Sequence, residues 1–369
     1  MSENGKKYAV EIPNYEPADL GVDFDALLVE LRSLKRKLNF ERQEIGMGNQ
    51  QRRVDKQEVE DSFKALAKRE HPEETDTANL REIALDKARE LVRRIARLVD
   101  SKVDTSHEVQ FFDHVNDLVD IVSEKITSSS GGVPKEHNYS AVYHPDTDEV
   151  EMRKRDFELA QDPFSVIANL TNTGTDDNLQ TIKHELIHRK QKKASDSKVS
   201  GVSQGIIAIT FLGGVANISI KYKGGKEEQD WEHGSILRES QARMMADKRR
   251  RFRDLHSDFS KNATYGNRIR EQGDWDRLIM AYQQIKELYA LGLSEEEITA
   301  LVVGAEWNSE SVSYTNFDER IKAEMAKRGL GIEDVENLVL AEDLKENIKA
   351  LQVSFITCQE LKKLRDRRN

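Results

Sequence analysis

Cysteine is nearly missing from this chain. With Cys358 alone, no intramolecular disulfide forms and no cysteine-based zinc cluster can be assembled, which suits a reducing compartment. Proline is also scarce, 6 among 369 residues, so little interrupts long helices. No apolar run reaches membrane-spanning length. The longest, Gly205 to Ile220, carries Thr210, Asn217 and Ser219 and falls short of about 20 residues, so no membrane association is expected. Excess positive charge is absent too: 57 Lys and Arg against 67 Asp and Glu leave −10, and the chain as a whole repels nucleic acid. Met1 to Pro13 is polar and shows no apolar segment followed by a cleavage site, which predicts no secretory leader. Neither a phosphate loop nor a dinucleotide fingerprint occurs.

What is present is a 37% apolar content, enough for a core, and a 34% charged content rich in Glu, Lys and Arg. Together they predict an α+β chain that is predominantly helical. Leu27, Leu28, Leu31, Leu34 and Leu38, then Leu91, Ile95 and Leu98, repeat at helical spacing, so residues 1–130 read as a helical N-terminal region. Ser128 to Gly132 followed by Pro134 breaks that pattern and marks a boundary. Residues 131–260 read as a mixed domain. Within it, Ser140 to Arg153 predicts a hairpin about a Pro-Asp-Thr-Asp turn, and Ile206 to Leu212 with Val215 to Tyr222 predicts a second about Gly213-Gly214. Asp176 to Lys193 predicts a helix, with acidic residues first, basic residues last and Leu179, Ile182 and Leu186 on one face. Trp231 to about Leu255 predicts another. Residues 261–369 form a helical C-terminal region with breaks near Gly292, Asn308 to Tyr314 and Gly329 to Gly331.

The chemistry sits in His184-Glu185-Leu186-Ile187-His188, a His-Glu-x-x-His motif on the expected helix. A spacing of four places both imidazoles on one face, where they can share a metal ion. Glu185 lies about 100° around the helix and can reach a water held by that metal, as general base. A bland reading also exists, in which two histidines and a glutamate merely decorate a solvated helix face. A catalytic zinc needs a third protein ligand. Glu239, in Leu237-Arg-Glu-Ser-Gln-Ala-Arg243, is one candidate, with the small Ala242 suited to close helix approach. Glu227, Glu228, Glu232 and above all His233 compete for the same place, and Glu239 could instead pair with Arg243 one turn on. For the oxyanion donor, Tyr222, His233, Tyr143, His144 and Tyr265 remain open.

These residues resemble the zincin class of zinc metallopeptidases. The likeness runs over residues 138 to 255, through Tyr143 to Met152 and then Leu179 to Gln191. Glu239 with Ala242 is similar to the Glu-x-x-Ala pattern of the gluzincin group, and Gln191, three residues after the second histidine, is similar to zincin-like domains of phages and bacterial contractile systems. The metzincin extension is absent, because Gln191 and Ala194 stand where its Gly and His would be. Arg243 departs from the thermolysin-like pattern, which has Asp there, so another carboxylate or carbonyl must orient a ligand histidine. The resemblance implies a zincin-like domain with helical flanks and a zinc-dependent peptidase acting on peptide or protein. Zn²⁺ would be held by His184, His188 and Glu239, Glu185 would be the base, and the strand before the motif helix would pair with the substrate by β-addition. The rival class is a structural or assembly protein, such as a phage virion component, that keeps the domain with little activity and meets its partners through the helical flanks. The expected compartment is cytoplasmic, or a virion or host cytoplasm if phage-encoded. The basic run Lys248 to Arg253 reads as a solvated helix face, with contact to nucleic acid or an acidic partner surface as its rival, and the pair His107 and His114 reads as a surface or core helix feature.

Overall fold

A computed structural model describes residues 20–45, 53–102, 141–144, 149–152, 159, 162–199, 206–212, 215–221, 227–246, 272–308, 310–311 and 313–366. These residues are predominantly helical. The N-terminal region supplies α1 (Phe24–Glu44), α2 (Lys56–Glu70) and α3 (Thr77–Lys102). The middle supplies the hairpin β1 (Ala141–His144) and β2 (Glu149–Met152), then α4 (Pro163–Thr173), α5 (Asp177–Val199), the hairpin β3 (Ile206–Leu212) and β4 (Val215–Lys221), and α6 (Glu227–Ala246). The last third supplies α7 (Gln272–Ala290), α8 (Glu295–Gly304), the short pair β5 (Trp307–Asn308) and β6 (Ser313–Tyr314), α9 (Thr315–Arg328) and α10 (Ile332–Asp366).

Both expected hairpins are antiparallel, in the registers Tyr143↔Val150 and Ile209↔Ile218. Among the described residues the strands stay in three separate two-stranded sheets. The breaks read from the sequence fall where helices end. Gly292 and Gly329 take left-handed backbone, φ +77° and +67°, after α7 and α9, and β5 and β6 lie within the stretch from residue 307 to 314. The segments 128–134 and 248–253, His107, His114, Tyr222 and Tyr265 lie outside the described residues.

Two apolar cores organise these elements. The first gathers Phe63 and Ala67 of α2, Ala84, Ala88 and Ile95 of α3, Phe164, Ile167 and Leu170 of α4, Leu179 and Ile182 of α5, and Val353, Cys358 and Leu361 of α10. Thus the end of the chain closes a core begun near its start, and α1 lies along α10. The second core joins Leu237 and Met244 of α6 to Tyr282, Ile285 and Leu288 of α7, Ile298 and Val302 of α8, Phe317 of α9 and Val335 of α10. Because α10 is 35 residues long, about 50 Å, it spans both. Polar ties fix the first core: Arg42 of α1 donates to the Thr171 and Asn172 carbonyls at 2.9 and 2.6 Å, and Asn172 bonds both the N–H and the C=O of Val54. These ties satisfy helix-end carbonyls that would otherwise be orphaned.

Candidate metal centre

The motif helix α5 begins where its chemistry dictates. Asp176 accepts the Leu179 N–H at 2.9 Å as N-cap, and Asp177 places a second carboxylate in the first turn. Leu179 and Ile182 enter the first core, which rotates His184 and His188 toward α6. Helix α6 is held by burial of Leu237, Met244 and Met245, and its Ala242 is fully buried against Ile187 of α5. A larger side chain there would push the helices apart, so the expected role of Ala242 in close approach matches its position.

Three donor atoms converge between the two helices. His184 Nε2 and His188 Nε2 are 3.1 Å apart, and Glu239 Oε2 lies 3.5 Å from the first and 3.2 Å from the second. A tetrahedral zinc with bonds of about 2.0–2.1 Å separates its ligand atoms by about 3.3 Å. The three edges match that figure, so the donor set fits a zinc ion in spacing and in chemistry. Glu239 serves two partners at once: Oε1 accepts from Arg243 Nε at 2.6 Å while Oε2 turns to the imidazoles. Pairing with Arg243 therefore does not compete with facing the histidines. His233 belongs to the same helix, α6, but its side chain is outside the described residues, as are those of Glu227, Glu228, Glu232 and His144.

Glu185 stands beside this cluster, its Oε1 3.9 Å from His184 Nε2. Its Oε2 accepts the Tyr143 N–H of β1 at 2.8 Å. That N–H is consequently turned away from β2, so the edge of β1 opposite β2 faces the motif helix. Of Tyr143, it is the backbone that the structure brings to Glu185.

Electrostatics follow from burial and from the crowding of like and unlike charge. Burial pushes the Glu185 carboxyl above its ordinary range, with Glu239 adding to the rise and the two imidazoles opposing it. For Glu239, burial acts upward but is outweighed by the His184 charge, the Arg243 guanidinium and hydrogen bonds from both imidazoles, which hold it well below the carboxylate range. Burial would lower His188, yet its bond to Glu239 and the nearby carboxylates raise it.

Gln191 and Gln241 complete the surroundings. His188 Nδ1 lies 2.9 Å from Gln191 Oε1, and Gln191 Nε2 donates to the Arg238 carbonyl at 3.0 Å and to Gln241 Oε1 at 2.8 Å. The acceptor that Arg243 leaves wanting is thus a side-chain amide carbonyl. Of these residues, the sequence singled out Gln191 by resemblance only, and Gln241 not at all. No family model matches this chain, and comparison with curated proteins and with solved structures finds no match either.

Proposed function

We propose that the chain is a zinc-dependent peptidase of zincin-like design. The observation that carries this reading is the convergence of His184, His188 and Glu239 at tetrahedral spacing with Glu185 alongside. His184 Nε2, His188 Nε2 and Glu239 Oε2 would hold the ion. Bound there, zinc supplies a Lewis acid that activates water and polarises a carbonyl. Glu185 is buried beside the imidazoles, where its carboxylate can take a proton from a water held by the ion and return it to a leaving amine. Tyr143 N–H orients that carboxylate through Oε2 and leaves Oε1 on the side of the imidazoles. A peptide substrate follows from the zincin likeness, in which the strand before the motif helix pairs with the substrate, and here the Tyr143 N–H of β1 is given to Glu185.

Metal analysis of the purified chain, joined to turnover of a mixed peptide library with and without chelator, tests the proposal. About one zinc per chain with chelator-sensitive cleavage is expected. His184→Ala and His188→Ala should each lose stoichiometric zinc, while Glu185→Gln should keep zinc and lose cleavage. Unchanged zinc in both histidine variants would end the metal-site reading. An occupied but silent site would move the chain to the structural or assembly class.

A further inference from the structure

We infer that Gln241 and Thr299, with Gln191, are positioning residues of the metal centre, forming one directed hydrogen-bond chain from α8 to His188 that sets which imidazole nitrogen is bare. The inference rests on the proposed zinc site but concerns residues to which the motif assigns nothing.

The direction of the chain is fixed by backbone carbonyls, which only accept. The Arg238 carbonyl lies 3.0 Å from one end of the Gln191 amide, so that end is Nε2 and the other is Oε1. Gln191 Nε2 also meets Gln241 at 2.8 Å, so the facing Gln241 atom is Oε1. Gln241 Nε2 then donates to Thr299 Oγ1 at 2.8 Å, and the Thr299 hydroxyl passes its own hydrogen to the Glu295 carbonyl at 2.7 Å. Every link points the same way. At the far end Gln191 Oε1 faces His188 Nδ1 at 2.9 Å, and an amide oxygen there requires a donor. Nδ1 therefore carries a hydrogen, so that when a metal takes the place of the hydrogen that Nε2 shares with Glu239 Oε2 at 3.2 Å, Nε2 offers its lone pair to the site, the form a metal needs.

Burial makes the arrangement binding. Gln191, Gln241 and Thr299 are 2%, 0% and 4% exposed, so water offers no ready substitute for a missing partner. Reversing one amide would set donor against donor or carbonyl against carbonyl along the whole chain. Helix α8, whose Thr299 lies 58 residues beyond Gln241 in sequence, thereby supports the proposed metal centre.

Zinc affinity, measured by competition with a chromophoric chelator, is one readout. The tautomer of His188, read from imidazole ¹⁵N shifts in zinc-free protein at alkaline pH, is the other. The native chain should show the Nδ1–H form. Gln191→Leu and Gln241→Leu should mix the tautomers and weaken zinc by about 10–100-fold. Thr299→Val should move both readouts the same way by a smaller factor, and Thr299→Ser, which keeps the hydroxyl, should restore them. Should Gln241→Leu fail to fold, the Thr299 pair carries the test. A folded Thr299→Val with native tautomer and native affinity would overturn the inference, as would Thr299→Ser behaving like valine. If the native chain binds no zinc, the peptidase reading falls, and the tautomer shifts alone judge the hydrogen-bond chain.

Discussion

Asp176 shows how one residue can serve a helix and burden it at once. It caps α5 through Leu179 N–H and accepts from Asn169 Nδ2 at 2.7 Å, yet it is fully buried. Burial raises its carboxyl above the usual range, and the neighbouring Asp177 adds to the effect. The folded chain accordingly binds that proton more tightly than the unfolded chain. Stability falls as pH climbs from the unfolded value through the folded one, and the penalty is complete above it. Asp176→Asn keeps the cap, because asparagine is as good an N-cap, provided that Asn169 turns its Oδ1 inward. The variant should melt higher than the native chain at neutral pH, with the gap narrowing in acid. Thermal melts across the acid range check this, and a gap that widens in acid would reject it.

Close helix contact decides the next scale up, and two glycines separate its components. Gly174 ends α4 with φ +78°, and a Cβ built there would collide with the Ala350 carbonyl of α10. Gly329 ends α9 with a similar φ of +67° and open space around it. Left-handed backbone disfavours alanine by about 1–2 kcal/mol at either site. Gly329→Ala should lose about that much in denaturant melts. Gly174→Ala should lose distinctly more, since α4 and α10 must also separate. Equal losses would mean that the contact with Ala350 yields freely.

The same contrast explains what the sequence could reveal. Local signals were readable: the cap and apolar face of α5, the four-residue histidine spacing, the hairpin turns, and the glycine breaks after α7 and α9. Glu239 was singled out by the likeness of Glu239 and Ala242 to the Glu-x-x-Ala pattern, with His233 as its rival, and the structure brings its Oε2 to both imidazoles. Nothing local in Gln241 or Thr299 distinguishes them from other polar helical residues, since their roles exist only once α5, α6 and α8 meet. Gly174 likewise looks like an ordinary helix stop, and the partner that forbids a side chain there lies 176 positions away.

For the whole molecule, the proposed metal centre lies across the seam between the two cores. Its histidines ride on α5, whose Leu179 and Ile182 belong to the first core, and Glu239 rides on α6, whose Leu237 and Met244 belong to the second. Further links cross the seam, among them the small cluster of Ile187, Ala242 and Met245, the Gln191–Gln241 bond, the Lys190–Glu295 ion pair and the continuous α10. Lys345 is exposed in the middle of α10 and pairs with Glu342 in the same helix, at 2.7 Å. Lys345→Pro would thus break the helix, at about 3 kcal/mol or more, without emptying either core. Native chain should unfold in one calorimetric transition with equal calorimetric and van't Hoff enthalpies, whereas the proline variant should split into two. Zinc should then act as a second clasp. At about one hundred times its dissociation constant it adds about 2.7 kcal/mol to whatever folded state holds α5 against α6, and the two transitions should merge again. His188→Ala in the same background should abolish that merging. A proline variant that still melts as one unit without zinc would show that the other packing and polar contacts hold the seam, and that neither α10 nor the proposed metal centre is needed to couple the cores.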